Sequence, residues 1–280
     1  MTQNHQPSPS GSACRVLVLG AHPDDAEFFA GGLLHEHAAR SSEIRLISVT
    51  NGQSGHHTQS ADELVERRRR EAKASGDILG CEYVCWDFPD GSLQPSLHVR
   101  EAIIREIRRF EPDLVLTHRP WDYHPDHRAV GQAIQDASYM VMVPKIAPGY
   151  AVPKQEPVVA YMVDMFTRPV GFRADFVLDA TEHLEGILKM LGCHESQFFE
   201  WIPWIERIQD MPTEPKAWAT WMKRFFLERT AGRGSRFWNL DWGPVPLLIE
   251  AYEISEYAGK LPASVQDRLF PGCRSAGREN

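Results

Sequence analysis

The chain has 280 residues, of which 42% are hydrophobic and 24% charged, and its formal net charge is -8 at pH 7. These values are typical of a globular protein with a large core, in one α/β domain or two smaller ones, and the negative charge argues against a nucleic-acid or acidic-membrane binder. Five scattered cysteines argue against a disulfide framework and favour a reducing, cytoplasmic compartment.

Residues 1–13 are polar and are predicted to form a disordered tail, neither a signal peptide nor a membrane anchor. Strand-like and helix-like segments then alternate through the first half of the chain. The predicted strands are Arg15–Gly20, Ile44–Thr50, Glu82–Trp86 and Asp113–Thr117. The predicted helices are Asp25–Arg40, Ala61–Leu79, Ser96–Phe110 and one that begins near His124. This order predicts an α/β fold with a Rossmann-like, mostly parallel sheet flanked by helices.

The second half of the chain is less regular. Tyr139–Pro157 is rich in proline and is interpreted as a connector or a flap. Further predicted elements are the strands Val158–Phe166 and Asp175–Leu178 and the helix Thr181–Leu191. We expect a single α/β domain over residues 14–265, with an aromatic-rich helical part at its end, and a C-terminal tail over 266–280.

Aromatic residues are concentrated in the C-terminal third. They are Trp201, Trp204, Trp218, Trp221, Phe225, Phe226, Trp238 and Trp242. Core packing is the default interpretation of such a group, and a subunit interface or an aromatic platform for a sugar ring are the alternatives.

The tetrapeptide His22-Pro23-Asp24-Asp25 comes directly after the first predicted strand. Strand ends of an open parallel sheet are where such folds place their chemistry, so we expect the active site at this edge. His22 and Asp25 can point to the same side of the turn and bind a metal ion. Asp24 projects differently and could take a proton from a metal-bound water, whose pKa is lowered to about 7 on Zn²⁺. Alternatively, these aspartates only cap the helix.

A second cluster, His124-Pro125-Asp126-His127, comes about a hundred residues later, after another apolar run. Asp126 can act as the helix N-cap. One of the two histidines can supply a third metal ligand and the other can face the substrate, where a protonated imidazole would stabilise an oxyanion. Taken alone, the segment could be a helix start with exposed histidines, but two such clusters at strand ends of one sheet favour a metal-dependent hydrolase.

The two clusters resemble the signatures of the PIG-L/LmbE-like zinc de-N-acetylases. The matching segments are Gly20–Asp25 with Gly31-Gly32, and Asp122–His127. Weaker similarities are Thr50–Gly52 with Gly55, Arg68 with Glu71, Pro89–Gly91, His194–Gln197 and Glu250–Glu253, so the resemblance spans roughly Arg15 to Pro262. Gln53 departs from the pattern, because the family often has an acidic residue at that place.

The resemblance implies a deacetylase domain that removes an acetyl group from a glucosamine-type sugar and releases acetate and a free amine. It implies Zn²⁺, or another divalent metal such as Fe²⁺, bound by His22, Asp25 and His127, with Asp24 as general base and His124 as the charged partner of the oxyanion. Candidate substrate-binding residues are Arg68, Asp90, Tyr123, His194 and Gln197. The expected partner is a small N-acetylated sugar or conjugate, and the resemblance and the many tryptophans favour a homo-oligomer.

Other functions share parts of this pattern. A dinucleotide-binding protein is disfavoured because His22 occupies the place of the second glycine in the required turn. A non-haem iron oxygenase would use the same ligand types, but those sites usually lie in all-β folds. An amidase for a thiol-sugar conjugate or an antibiotic precursor, and a non-catalytic metal- or sugar-binding module, stay open as alternatives.

Overall fold

The structure, a computed structural model, describes residues 13–235, Trp242 and residues 245–276. Trp238 and nearly all of the predicted N-terminal tail lie outside the described residues. No helix in the described ranges is long and apolar enough to cross a membrane.

The described strands form one mixed sheet. They are β1 Arg15–Gly20, β2 Glu43–Thr50, β3 Glu82–Phe88, β4 Leu114–Thr117, β5 Val158–Met162, β6 Phe176–Asp179, β7 Ile249–Ile254 and β8 Arg274–Ser275. Their order across the sheet is β3-β2-β1-β4-β5-β7-β6-β8. The first five strands in this order are parallel to one another, and β7, β6 and β8 each pair antiparallel with the strand before them. The predicted α/β fold with a mostly parallel sheet flanked by helices is confirmed.

Helices cover both faces of the sheet. They are α1 Asp25–Ala39, α2 Ala61–Leu79, α3 Leu97–Phe110, α4 Pro125–Ser138, α5 Leu184–Gly192, α6 Ile202–Ile205, α7 Trp218–Ser235 and α8 Gln266–Leu269. Along β1, Val16 and Val18 pack in the core under α1 and α5, whereas Leu17 and Leu19 pack in the core under α3 and α4. Burial on both faces explains the continuous apolar run that marked this segment as a parallel strand.

The largest differences from the sequence-based prediction lie in the second half. β5 ends at Met162, so residues 163–166 leave the sheet. β7 was not predicted, because it pairs with β5 and β6 far away in the chain and lies in the part that was interpreted as helical. The predicted C-terminal tail over 266–280 is wrong for its described part: Leu269 and Phe270 are buried in the core, and β8 pairs with β6.

Five of the aromatic residues of the C-terminal third form two groups. Trp221, Phe225 and Phe226 are buried in the core on the α1 face, as the default interpretation expected. Trp204 is 52% exposed, and Trp201 lines a cavity of about 690 Å³. The π-helical turn Ser196–Trp201 and α6 carry these two tryptophans to the surface beside the cavity.

Arg108 on α3 holds the proline-rich segment that the sequence left as a connector or a flap. Its guanidinium is buried and donates to the carbonyl oxygens of Met140, Val141, Val143, Ile146, Ala147 and Tyr150. One fixed cation therefore satisfies a run of carbonyl groups that would otherwise be buried without partners. Residues 140–150 are therefore a connector that Arg108 holds against α3.

Replacing Arg108 with methionine should lower the free energy of unfolding by about 2–4 kcal/mol, because several buried carbonyl groups lose a charged donor. Denaturant unfolding would measure the loss. Arg105→Met is the matched control, since the side chains of Arg105 and of its ion-pair partner Glu101 are 41% and 46% exposed on the same helix; we expect a change below about 1 kcal/mol there. Equal stabilities of the two variants would contradict the assigned role of Arg108.

Candidate active site

The carboxyl ends of the parallel strands meet at one edge of the sheet. Residues 51–55 follow β2, Asp90 follows β3, residues 22–25 follow β1, residues 118–127 follow β4 and residues 163–166 follow β5. A cavity of about 690 Å³ opens at this edge, and each of these five segments contributes to its lining. The structure thus brings both sequence clusters into one cavity.

Ligand atoms of His22, Asp25 and His127 converge at the base of this cavity. His22 Nδ1 lies 3.2 Å from His127 Nε2, although the two residues are 105 positions apart. Asp25 places Oδ2 3.6 Å from His22 Nδ1 and Oδ1 3.3 Å from His127 Nε2. Ligands held at about 2.1 Å on a tetrahedral ion are roughly 3.4 Å apart, so this nitrogen, nitrogen and oxygen set fits Zn²⁺ with an open fourth position.

Three further sets of described residues, each with ligand atoms within 4.8 Å of one another, overlap with this one. They are His22, His124 and His127; Asp25, His118 and His127; and His22, Asp90 and Asp126. His118 was not singled out from the sequence. Its ring stacks on His127 at 3.9 Å between centroids, and its Nε2 lies 3.0 Å from Asp25 Oδ2. His118 therefore fixes the orientation of two members of the central set.

Carboxylates lie behind both histidines of the central set. His22 Nε2 is 3.2 Å from Asp90 Oδ1 and 3.3 Å from Asp126 Oδ2, and His127 Nδ1 is 3.2 Å from Asp122 Oδ1. In each ring one nitrogen thus faces the convergence point and the other faces a carboxylate. This arrangement is typical of metal-binding histidines, whose tautomer and ring orientation are set by such an acidic partner.

The same contacts shift the pKa values of the side chains. Burial alone would lower the pKa of His22 and His127, but the carboxylates beside them together have the larger effect. The pKa of His22 is raised well above its ordinary value, and that of His127 to about 9. Burial raises the pKa of Asp25, but the neighbouring histidines His127 and His118 hold it well below its usual range. The site thus holds several carboxylates around its imidazoles, and a divalent cation bound there would displace the protons of His22 and His127.

Asp24 stands next to this set without belonging to it. Its backbone has φ 133°, which few non-glycine residues adopt. Two contacts hold it there: its N–H donates to Tyr83 Oη at 3.0 Å, and Arg68 donates to Asp24 Oδ2 at 3.3 Å and also to the carbonyl of Pro23. Burial raises the pKa of the Asp24 carboxyl, and Arg68 partly opposes this. Such a carboxylate is suited to accept a proton in the cavity.

His124 takes the place that the sequence suggested for Asp126. His124 is the N-cap of α4, and its Nδ1 accepts the hydrogen bond of the Asp126 N–H at 3.2 Å. Burial and then repulsion by His22 and His127 lower the pKa of His124 to about 4. This disfavours the charged form that the resemblance implies; in the neutral form Nδ1 accepts from the backbone, so Nε2 carries the proton and can donate. The N-cap prediction for Asp126 is wrong, because its carboxylate instead accepts from the backbone N–H of Gly91 and faces His22.

Four of the five candidate substrate-binding residues line the cavity. They are Arg68, Asp90, Tyr123 and Gln197. Tyr123 is 68% exposed, with its ring centroid 5.5 Å from that of His127, and Gln197 donates to the carbonyl of Gly55 at 3.0 Å. Arg68 is almost fully buried and serves mainly to hold the turn that carries Asp24.

His194 does not line the cavity, so its prediction as a substrate-binding residue is wrong. It is fully buried, and its Nε2 lies 2.8 Å from Glu27 Oε1. The buried Glu27 carboxylate also accepts from the hydroxyl groups of Ser75 and Tyr83. The network therefore joins α1, α2, β3 and the segment after α5 behind the site.

Replacing His194 with alanine should lower the free energy of unfolding by about 2–3 kcal/mol, because the buried Glu27 carboxylate loses a partner. The KM of the folded enzyme should stay within about twofold of the parent value. Gln197→Ala is the contrasting variant: we expect a higher KM with little loss of stability. Unfolding curves and steady-state kinetics of both variants would check this, and the reverse pattern would restore His194 as a binding residue.

The contacts of Asp122, His118 and Asp126 with the central set were not predicted from the sequence. Asp122 and Asp126 flank His124 in the chain, so acidic residues next to predicted metal-binding histidines were an available signal. His118 comes directly after β4, and its position at the strand end was the corresponding signal. Neither signal states which histidine each group contacts, since that depends on side-chain directions across three strands.

The part of the chain that carries both clusters is similar to a known protein family. The family model for PIG-L, GlcNAc-PI de-N-acetylase, matches residues 17–138, which include both clusters. Among curated proteins, the diacetylchitobiose deacetylase of Thermococcus kodakarensis is 28% identical over 215 residues, which are 71% of this chain and 78% of the relative. The 4-oxalmesaconate hydratase of Pseudomonas putida is 24% identical over 208 residues, 71% of this chain and 79% of the relative.

Among solved structures, an N,N'-diacetylchitobiose deacetylase from Pyrococcus horikoshii has a TM-score of 0.69 and is 22% identical, with 88% of this chain and 85% of that chain covered. This likeness extends the shared fold well beyond residue 138, into the part of the chain that contains β5 to β8.

Proposed function

The chain belongs to the PIG-L/LmbE de-N-acetylase family, and on that premise we propose that it is a metal-dependent hydrolase that cleaves the amide of an N-acetylated amino sugar or sugar conjugate. Its products are a carboxylic acid, acetate in the simplest case, and a free amine. The observation that carries the proposal is the convergence of His22, Asp25 and His127 beside Asp24, a carboxylate outside the donor set.

The positions of the residues suggest their roles. His22, Asp25 and His127 would hold the divalent metal, Zn²⁺ or Fe²⁺, which supplies Lewis-acid polarisation of a carbonyl and a bound water of lowered pKa. Asp24 accepts the proton of the attacking water, and its raised pKa also lets it return a proton to the departing amine. His124 donates a hydrogen bond from Nε2 to the oxygen that becomes negative as the carbonyl carbon turns tetrahedral.

The substrate is held on the cavity lining. Asp90 and Gln197 offer polar atoms suited to sugar hydroxyl groups, and Tyr123 offers an exposed hydroxyl near the histidines. An oligomeric state and a cytoplasmic location stay predictions from the sequence. So do the narrower substrate alternatives, a thiol-sugar conjugate or an antibiotic precursor.

The test is a screen for released amine across N-acetylated sugars and sugar conjugates, with and without a chelator, with mass spectrometry of both products. We expect an amine and a carboxylic acid in equal amounts, and no reaction after metal removal. Some members of the family are hydratases. Addition of water to a compound without loss of a fragment would identify a hydratase, and binding without turnover would identify a non-catalytic module.

A further inference from the structure

The strand order puts chemically different walls on the two sides of the candidate metal site. β1 and β4, which carry His22 and His127, are neighbours in the middle of the parallel part of the sheet. On one side lie β2 and β3 with Asp90 and the 51–55 loop, and on the other side lies β5 with residues 163–166. An amide held at the metal site therefore has its two substituents directed towards two different walls.

The wall beyond β1 presents polar groups next to His22, and Trp201 lines the cavity beside the loop after β2. Asp90 lies 3.2 Å from His22 and accepts from the backbone N–H of Ser54 at 3.1 Å. Gln197 faces the same loop through its hydrogen bond to the carbonyl of Gly55. Carboxylate, amide and backbone groups in this arrangement match the hydroxyl groups of a sugar. This wall suits the amine part of the substrate.

The wall beyond β4 is largely apolar, although Asp164 also lines it, buried in an ion pair with Arg119. The ring of Phe29 stands edge-on to His127, with centroids 6.1 Å apart, and the ring of Phe28 is 5.0 Å from that of Phe29. Met165 and Phe166 line the cavity after β5 and are 44% and 37% exposed. A methyl group alone, as in acetate, would cover little of this surface. Exposed apolar side chains inside a cavity are typical of a binding site for an apolar ligand group.

The cations on this wall are engaged with the protein. Arg233 of α7 lies over the rings of Phe28 and Phe29, at 4.8 Å and 5.0 Å from their centroids, and donates to the carbonyl of Phe28 at 3.0 Å. Arg229 makes an ion pair with Glu206. The contacts of both guanidinium groups favour a neutral chain over an acidic one on this side.

We infer that the site accepts amino sugars whose N-acyl group is a neutral chain longer than acetyl, with the sugar on the Asp90 wall and the chain on the Met165 and Phe166 wall. The inference rests on the proposed amide hydrolysis and names its substrate class. The reaction consumes one water: the C–N bond breaks, the acyl carbon gains the hydroxyl oxygen, and the amine gains a proton. The products are a fatty acid of short to medium length and a free amino sugar.

The experiment compares glucosamine carrying N-acetyl, N-butyryl, N-hexanoyl and N-octanoyl groups, with the metal-loaded full chain. Released glucosamine and released acid are both measured. Burial of a methylene contributes on the order of threefold, so kcat/KM should rise at least about tenfold from acetyl to hexanoyl. A flat or falling series, with N-acetyl still cleaved, overturns this inference and leaves the proposed function intact. If no amine is released from any of these substrates, both the inference and the proposed function are contradicted.

Two further substrates test the assignment of the walls. N-succinyl glucosamine should be cleaved more slowly than N-butyryl glucosamine, because its chain carries an acid; a preference for it would show that an arginine on this wall recognises a carboxylate and would overturn the neutral-chain assignment. Octyl N-acetyl-glucosaminide carries its chain on the sugar instead. A gain confined to this compound would place the apolar group on the amine part and would also overturn the assignment.

Variants of Met165 and Phe166 test whether these side chains cause the expected preference for longer acyl chains. Met165→Ser and Phe166→Ser should each lower the ratio of N-octanoyl to N-acetyl kcat/KM by about fivefold, because each removes apolar contact surface. Val170→Ser is the control, since Val170 is 48% exposed on the same loop but does not line the cavity; its ratio should equal that of the parent. Unchanged ratios in both wall variants, with folded protein by circular dichroism, would overturn the inference.

Discussion

Replacing Asp24 with asparagine is expected to lower kcat at least about 100-fold and up to about 10,000-fold, because the attacking water loses the group that accepts its proton. Asparagine has nearly the same shape as aspartate and is among the few non-glycine residues that tolerate positive φ, which the turn requires at this position. The fold and the metal content should therefore stay at the parent level. Single-turnover release of amine, together with metal analysis, would measure the effect.

Asp87→Asn is the control for this change, because the Asp87 side chain is 82% exposed and does not line the cavity. It makes the same chemical substitution and should leave kcat within about twofold of the parent. If Asp24→Asn retained full metal and turned over within tenfold of the parent, Asp24 would not be the base. Some other group or the bulk solvent would then have to accept the proton.

Replacing His127 with alanine should weaken metal binding more than about 100-fold and abolish amine release, because one of three protein ligands is lost. Mutation of a residue that only supports a metal ligand already lowers metal affinity or activity by about 10–100-fold. His124→Ala should behave differently. It should keep one metal ion per chain and lose activity, since His124 is the N-cap of α4 and its Nε2 is directed to the substrate in our assignment. Metal content after dialysis and activity at saturating metal would separate the two roles.

His98→Ala is the control for both histidine variants, because His98 is exposed and lies outside the cavity. We expect it to bind metal and turn over substrate as the parent does. The sequence left open which histidine of the second cluster binds the metal. Loss of metal from His124→Ala with retention in His127→Ala would exchange the two roles, and retention in both would move the metal away from the second cluster.

The proposed division of the cavity into two walls follows a division along the chain. The candidate metal ligands and Asp24 lie in the part matched by the family model, whereas Met165, Phe166 and the helix α7 lie beyond it. On our proposal, the residues that come after β5 determine which substrate the reaction centre acts on. The chain-length series tests this division directly, because the amide is the same in every substrate and only the group facing the β5 side changes.

Local patterns in the sequence were sufficient for β1 to β5 and for the four helices between them. Each of those strands is an apolar run bounded by a turn or helix signal, and the structure moved the predicted bounds by a few residues. β7 and β8 escaped prediction because antiparallel insertion into the far half of the sheet depends on partners distant in the chain. Leu269 and Phe270 look like any apolar pair in a tail until the core they fill is known.

For the site, the sequence by itself determined which chemistry is available: two histidine and aspartate clusters, each placed after a strand of a parallel sheet, and therefore at one edge. Only the tertiary structure decided which of these groups contact one another and which lie away from the cavity. It turned His22 Nδ1 and His127 Nε2 towards Asp25, put Asp122 and Asp126 behind the imidazoles, and buried His194 with Glu27. The physical reason is that strand order sets proximity, whereas ligand geometry depends on side-chain directions fixed by packing from several elements at once.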